Sequence, residues 1–466
     1  MSAKGFADFI KRFPVYESTS EVDQLRVSQY PLLEKESHVY LDYTGAGLYA
    51  SSQLQSHQKL LSESLFGNPH SWNPTSTHST DLVEQTRTSI LNFFNASPEE
   101  YVCIYTPNAS GALKLVGESY PFGAGCRYLL TFDNHNSVNG IREYAHARGA
   151  SVTYIPVVLP DMRSDETKLK EEFTNTNNGC FNLFAYPAQS NFSGVQHPLE
   201  WIAEAQSQGW DVLLDAAAFA PTNKLDLSRW HPDFVPLSFY KMFGYPTGVG
   251  ALIARKETLQ KLSRSWFAGG TTTVASVRSN KFYPAEAPAG LEDGTLNYLN
   301  IPAVEIGLKF LETIGYETIH KRMISLTGWL LNTIIEMKHY NGADLVKVYG
   351  PLDTKDRGGT IALNFFDSHG SIIPKFSLEK EANRRNISIR MGFFCNPGAG
   401  EVALDISGDE LSSCFSRPSY EARITDLDFQ NCIDPKASGA VRVSLGLVSN
   451  FEDIQAFLDF AEQFLE

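Results

Sequence analysis

The chain has no apolar run of about 18 residues, the length a helix needs to cross a bilayer. Its N-terminus, MSAKGFADFIKRFPVYESTSEVDQ, alternates charged with single apolar residues instead of building the apolar stretch of a leader. Neither secretion nor a membrane anchor is expected. Basic blocks are missing too: 39 Lys and Arg stand against 53 Asp and Glu, a formal net charge of −14, so nucleic acid and anionic membranes are not expected partners. The six cysteines, at positions 103, 126, 180, 395, 414 and 432, include no CxxC pair. That spacing suits reduced thiols in a cytoplasmic protein better than a disulfide framework or a zinc site, and no metal is expected. GxGxxG and GxxxxGK[ST] do not occur, which removes the fingerprints of dinucleotide and P-loop binding. No internal repeat or low-complexity segment is evident.

What is present is 466 residues, 42% of them hydrophobic, enough for one large domain and a smaller one. From about residue 100 to 255, short apolar runs (YVCIYT, RYLLTF, SVTYIPVV, FNLFAYP, WDVLLDA, FVPLSFY, GVGALIAR) alternate with helical patterns such as SGALKLVGESY and PLEWIAEAQSQG. That alternation predicts an α/β fold with a mostly parallel sheet, and ligands of such sheets bind beyond the carboxyl ends of the strands. A long helical pattern over residues 301–338 then gives way to the strand-like runs VKVYG, TIALNFF, ISIRMGFF and AVRVSLG and a final amphipathic helix, FEDIQAFLDFAEQFLE. The organisation expected is an N-terminal segment over 1–35, a large domain over 36–300 and a smaller α+β C-terminal domain over 301–466.

The chemistry starts at the strand ends. WDVLLD stops on Asp215, and the next strand runs into Lys241 within LSFYKMFGYPTG. A carboxylate and a lysine at adjacent strand ends suit pyridoxal phosphate: the amine forms an imine with the aldehyde and the carboxylate keeps the pyridine nitrogen protonated, making the ring an electron sink. Alone, each residue would be an ordinary solvated lysine or capping aspartate; the neighbouring strand ends add weight. In YTPNASGALK a strand ends in a small-residue turn that opens a helix, where backbone N–H groups and the helix dipole suit a phosphate, although Ser110 is equally an ordinary N-cap. TFDNHNSVNG puts His135 at another strand end, where an imidazole can stack on a planar ring and move protons near neutral pH. AYPAQSNFSG offers Gln189 and Asn191 to a ring hydroxyl.

At this point the segments GNPHS, PNASGALKLV, DNHNSVNGIR, PAQSNFSGV, LLDAAAF, LSFYKMFGYPTGVGAL, EDGTLNYL, FFCNPGAGE and VRVSLGLVSNFEDI, in this order, resemble the NifS-like, class V aminotransferase-fold domain of molybdenum cofactor sulfurases. The resemblance covers nearly the whole chain from about residue 35. It implies a fold type I transferase of the pyridoxal phosphate class, with Lys241 holding the cofactor, Asp215 on the pyridinium, His135 stacking and transferring protons, and Asn191 or Gln189 on the ring oxygen. Ala109, Ser110, Ser238 and Tyr240 match the phosphate cradle. Thr295 of EDGTL matches a threonine that relatives supply from a second subunit, so a homodimer is implied. Arg442 matches the arginine that grips the substrate carboxylate, a task suited to a bidentate guanidinium, and His70 of GNPHS matches a second substrate contact.

The resemblance makes Cys395 the decisive thiol. In a cysteine desulfurase a thiolate attacks the sulfur of a cofactor-bound cysteine, leaving a persulfide and releasing alanine. GFFCNPGAGE puts Cys395 in a turn-forming stretch, where a mobile segment would carry the sulfur to its target, and the chemistry needs a reachable, partly ionised thiol. Two departures stand out. The family's usual GCFCNPGAC has outer cysteines where this chain has Phe393 and Gly400, so a relay among neighbouring thiols is in doubt. Relatives also commonly continue into a domain that binds the molybdenum cofactor, whereas this chain stops at Glu466, so the acceptor is expected to be a separate protein carrying that cofactor, or another molecule. Three readings follow: a cytoplasmic desulfurase using L-cysteine or a related amino acid; a C–S lyase, aminotransferase or other class V enzyme in a biosynthetic pathway; or a cofactor-free scaffold, against which Lys241, Asp215, His135 and Arg442 together argue.

Overall fold

In a computed structural model, which describes residues 3–69, 71–176, 179–417, 423–433 and 439–466, the seven apolar runs form one sheet. Its strands are β1 (Tyr101–Thr106), β2 (Arg127–Thr131), β3 (Ser151–Ile155), β4 (Asn182–Pro187), β5 (Trp210–Asp215), β6 (Phe234–Ser238) and β7 (Gly250–Arg255). The order is β1-β7-β6-β5-β4-β2-β3, with β7 antiparallel to both its neighbours and the remaining pairs parallel. Helices on both faces explain why these strands read as continuous apolar runs instead of alternating ones. The period of two still governs them: Cys103 and Tyr105 join one hydrophobic cluster, while Val102 and Ile104 join the cluster on the opposite face. Pro156 has no N–H to donate and ends β3 early; Val157–Val158 turns away to pair with Arg163–Ser164.

Beyond β7 an exposed hairpin, β8 (Thr272–Ser276) and β9 (Lys281–Pro284), precedes two helices, α1 (Ile301–Ile314) and α2 (Tyr316–Ile334). The single helical pattern read from sequence is thus two helices. Gly315, at φ 79° and ψ 138°, breaks it with a positive φ that glycine adopts without steric cost. A four-stranded antiparallel sheet follows: β10 (Val346–Tyr349), β11 (Thr360–Phe365), β12 (Arg390–Gly392) and β13 (Ala440–Ser444), in the order β10-β11-β13-β12. The run ISIRMGFF is split, because Ile387–Ser388 pairs with Val39–Tyr40 and only Arg390–Gly392 joins this sheet.

Residues 5–30 pack on α2 and on the final helix, Phe451–Ala461. Phe9, fully buried, stacks on Phe451 with ring centroids 5.0 Å apart and meets Trp329 edge-on. The buried Arg322 guanidinium lies 4.7 Å over the Tyr16 ring, pairs with Asp23 and donates to the Ser449 carbonyl at 2.7 Å.

One expectation is corrected. Helices Gly408–Phe415 and Asp426–Ile433 lie against each other and join Cys414 to Cys432 in a disulfide, Cα atoms 5.7 Å apart. Their separation of 18 residues carries no pairing signal, because only helix packing closes it. Cys103, Cys126, Cys180 and Cys395 are free thiols. Among the described residues no helix is long and apolar enough to cross a membrane, and no three His, Cys, Asp or Glu side chains gather as a metal site requires.

Candidate active site

Lys241 stands one helical turn beyond β6. The turn Phe239–Phe243 is anchored by buried Phe239, Met242 and Phe243 and closed by Gly244 at φ 79°. A β-carbon on Gly244 would lie 2.4 Å from the Leu48 carbonyl carbon and the Tyr49 nitrogen, so only glycine lets the chain turn this close. Asp215 is the last residue of the neighbouring β5, with one carboxylate oxygen accepting the Ala217 N–H at 3.0 Å. His135 follows β2, and its Nδ1 accepts the Ser137 N–H at 3.1 Å, which assigns the proton of the neutral ring to Nε2. Lys241, Asp215, His135, Gln189 and Asn191 line one cleft of about 150 Å³ together with Ala109, Ser110, Ser238 and Tyr240.

The cleft favours neutral nitrogen bases. Burial holds the Lys241 amine below the usual lysine range; the nearby Arg442 guanidinium pushes the same way, against the pull of Asp215. Burial also lowers the His135 imidazole, and Lys241 and Arg442 add to the effect. A neutral amine is the form that attacks an aldehyde.

The helix Ala109–Ser119 begins at the cleft. Asn108 caps it by accepting the Gly111 N–H at 3.0 Å, the Ala109 N–H donates to Ser238 Oγ at 2.9 Å, and the Ser110 and Ser137 hydroxyls are 2.6 Å apart. Gly250 lets the helix start approach the sheet, since a β-carbon there would lie 2.6 Å from Asn108 Cα. Hydroxyls and a helix N-terminus for an anion, a strand-end carboxylate for a ring nitrogen and a buried amine for an aldehyde are the donor set that pyridoxal phosphate requires, and the residues present fit it.

Two of the expected contacts are already engaged. The Asn191 amide donates to the Phe394 carbonyl at 2.8 Å and accepts from Asn396 Nδ2 at 2.8 Å; Gln189 accepts from Gln196 Nε2 at 3.0 Å through its Oε1, and its Nε2 is the donor that would meet a ring oxygen. Arg442, buried on β13, donates to Asp42 Oδ1 at 2.9 Å and to the Asn191 carbonyl at 3.1 Å, and lies 4.8 Å over the Phe394 ring. Its Nε is buried without a partner, an open donor for an incoming carboxylate. Asp42 also binds Arg390 at 2.6 Å. Sequence reasoning missed Asp42 and Arg390, which stand 348 residues apart in unremarkable strand-like runs and meet only in the folded chain. Thr295 lies outside this cleft, in a separate cavity with Tyr105, Thr106 and Lys114. His70 lies outside the described residues.

Cys395 is exposed between buried Phe394 and Asn396. Phe393 and Gly400, the two departures from the family pattern, touch each other: a β-carbon on Gly400 would lie 2.2 Å from Phe393 Cδ1. The ring fills the space that a side chain at 400 would take, so the two differences form one compensated change. Gly400→Cys alone is expected to lower stability by about 1–3 kcal/mol through overpacking, while Phe393→Cys together with Gly400→Cys recovers most of the loss. Chemical denaturation of the single and double variants measures both.

The family model of aminotransferase class-V matches residues 39–457. Among curated proteins, the chain is 36% identical over 488 residues to a molybdenum cofactor sulfurase of Solanum lycopersicum, covering 97% of this chain and 59% of that protein. It is 38% identical over 443 residues to the Bos taurus molybdenum cofactor sulfurase, covering 91% of this chain and 49% of that protein. The chain therefore spans between half and three fifths of the length of these relatives. Among solved structures, a cysteine desulfurase of Thermococcus onnurineus superposes with a TM-score of 0.74 at 21% identity, covering 95% of this chain and 97% of that one. The Escherichia coli cysteine desulfurase CsdA gives 0.71 at 18% identity, covering 96% and 99%. At such identities these structures establish the fold.

Proposed function

The chain belongs to the class V aminotransferase family and has the fold type I architecture of its pyridoxal phosphate enzymes, and from that premise we propose that it is a cysteine desulfurase of the molybdenum cofactor sulfurase type. The observation that carries the reading is an exposed thiol, Cys395, on a turn bonded to the rim of the cleft of Lys241, Asp215 and His135: the Phe394 carbonyl accepts from Asn191 Nδ2 at 2.8 Å and the Cys395 carbonyl accepts the Asn136 N–H at 2.6 Å. Sequence likeness to molybdenum cofactor sulfurases across most of the chain supports it.

Pyridoxal phosphate, when bound, supplies an electrophilic aldehyde and a ring that stabilises negative charge on the amino-acid carbons attached to it. Lys241 would anchor it through its amine and would hold and move a proton at its Nζ. Asp215 would pair with the ring nitrogen and keep it protonated. His135, neutral and protonated on Nε2, lines the same cleft and would hold or give up a proton there. Arg442 offers its unpaired Nε to the carboxylate of L-cysteine or a related amino acid. The Cys395 thiolate attacks the substrate sulfur: an S–S bond forms, the C–S bond breaks and the substrate carbon takes up a proton. The balance is L-cysteine plus Cys395 thiol giving L-alanine plus Cys395 persulfide, with no outside oxidant. The sulfur then passes to the molybdenum cofactor or to a separate acceptor protein.

In this reading the enzyme works in the cytoplasm as a homodimer. Exposed Val274, Val277, Phe282 and Tyr283 on the hairpin β8–β9 suit burial against a second copy, and the distance of Thr295 from its own cleft suits a phosphate contact made across that interface.

Mass spectrometry of the purified protein after exposure to L-cysteine tests the function. One added sulfur atom on Cys395 and stoichiometric alanine are expected. Cysteine consumption with no sulfur on Cys395 would reassign the protein as a C–S lyase or another class V enzyme.

A further inference from the structure

The turn that carries Cys395 is tied down through Phe394, Cys395 and Asn396, where the sequence suggests a mobile segment. Phe394 and Cys395 both have φ 56°, a left-handed backbone that residues with a side chain hold only when their surroundings impose it. Asn396, fully buried, supplies much of that constraint. Its Nδ2 donates to the Asp133 carbonyl at 2.7 Å and to Asn191 Oδ1 at 2.8 Å, while its Oδ1 accepts the Ala399 N–H at 3.2 Å and caps the helix Pro397–Ala403. On the thiol side of the turn, the Phe394 carbonyl accepts from Asn191 Nδ2 at 2.8 Å and the Cys395 carbonyl accepts the Asn136 N–H at 2.6 Å. Gly398 rests on the backbone that follows β2, where a β-carbon would lie 2.0 Å from the Phe132 carbonyl oxygen.

These bonds join two catalytic candidates. Asp133 and Asn136 bracket His135, so the imidazole and the thiol sit on one hydrogen-bonded unit whose central member is the Asn396 amide. The Asn191 carbonyl carries the unit on to Arg442.

We propose that Asn396 is a positioning residue for sulfur transfer: it locks the Cys395 turn to the His135 loop, so that the thiol keeps one position and both the substrate sulfur and the later sulfur acceptor come to it. The inference rests on the desulfurase reading above. An amide is required because the side chain donates twice and accepts once at the same time, a combination no hydroxyl or carboxylate provides. The bonds reach 263 residues back to Asp133 and 205 to Asn191, far beyond local turn chemistry.

Asn396→Asp keeps the volume and the acceptor for the Ala399 N–H, but removes the donor and sets a carboxylate oxygen against two other oxygens. Asn396→Ser also retains a helix cap and guards against misfolding of the first variant. With the cofactor-loaded enzyme, single-turnover persulfide formation is expected to slow about 100-fold, the cost of a small misplacement of a reacting group. KM for L-cysteine should stay within about threefold and the visible cofactor band should be unchanged. Hydrogen exchange at the Asn136 amide, whose partner is the Cys395 carbonyl, should accelerate about tenfold or more in both variants. Persulfide formation at the wild-type rate, or a loss that merely follows loss of bound cofactor, would overturn the proposal, as would unchanged exchange at Asn136. Should wild type itself form no persulfide, the desulfurase reading fails, while the exchange experiment still decides whether Asn396 holds the turn.

Discussion

Lys241→Ala is expected to purify colourless and to lose turnover by about 10⁴-fold or more, the scale seen when a covalent catalytic group is removed. Burial holds the Lys241 amine below the usual lysine range, with the Asp215 carboxylate opposing the shift and the Arg442 guanidinium adding to it. Alanine at this position leaves the cofactor with no covalent anchor. Borohydride reduction of wild type should fix the cofactor to the peptide containing Lys241 and do nothing to the variant, which also separates an enzyme from a cofactor-free scaffold. Stability moves the other way. A lysine whose folded pKa is depressed contributes stability that is present above its ordinary value, about 10.4, and lost as pH falls through the lowered one. In the apoprotein at neutral pH Lys241 is therefore a cost, and apo Lys241→Ala should melt no lower than the apo wild type. A variant that keeps both colour and turnover would move the anchor elsewhere.

Lys241, Asp215 and His135 were legible in the sequence for a physical reason. Each ends or follows an apolar run, and a parallel sheet gathers its carboxyl ends along one edge, so order along the chain translates into proximity. The α/β class was legible for the same reason, since the runs and helical patterns alternate. Where the reading stopped, the missing information was tertiary. Asp42, Arg390 and Arg442 meet from opposite ends of the chain, and no periodicity records that Asp42 already holds the arginine expected to grip substrate. The Asn191 amide looks like a cofactor contact until Phe394 and Asn396 are seen to occupy it. GFFCNPGAGE reads as a loose turn because asparagine, proline and glycine signal turns, yet its rigidity comes from donors and acceptors outside the motif. The Cys414–Cys432 bridge had no signal either, because helix packing alone closes it.

Cys395→Ser should abolish persulfide formation and lower alanine release from L-cysteine by about 10³-fold or more, with the cofactor band and amino-acid binding intact. The thiol is exposed, so the exchange removes no packing, and stability should stay within about 0.5 kcal/mol. Serine also tolerates the backbone as cysteine does, so the bonds from Asn136, Asn191 and Asn396 persist and the turn keeps its shape. What changes is the reacting atom: a hydroxyl near neutral pH carries almost no anion, whereas a thiol ionises readily and is a strong sulfur nucleophile. Loss of transfer with the turn unmoved would assign the attack to the Cys395 sulfur itself. A C–S lyase needs no such nucleophile, because the C–S bond can break without a sulfur acceptor on the protein. Unchanged turnover in Cys395→Ser would therefore make this exposed thiol a bystander and the lyase the better description of the cleft. With Phe393 and Gly400 flanking it, Cys395 has no neighbouring thiol in GFFCNPGAGE that could mask the result.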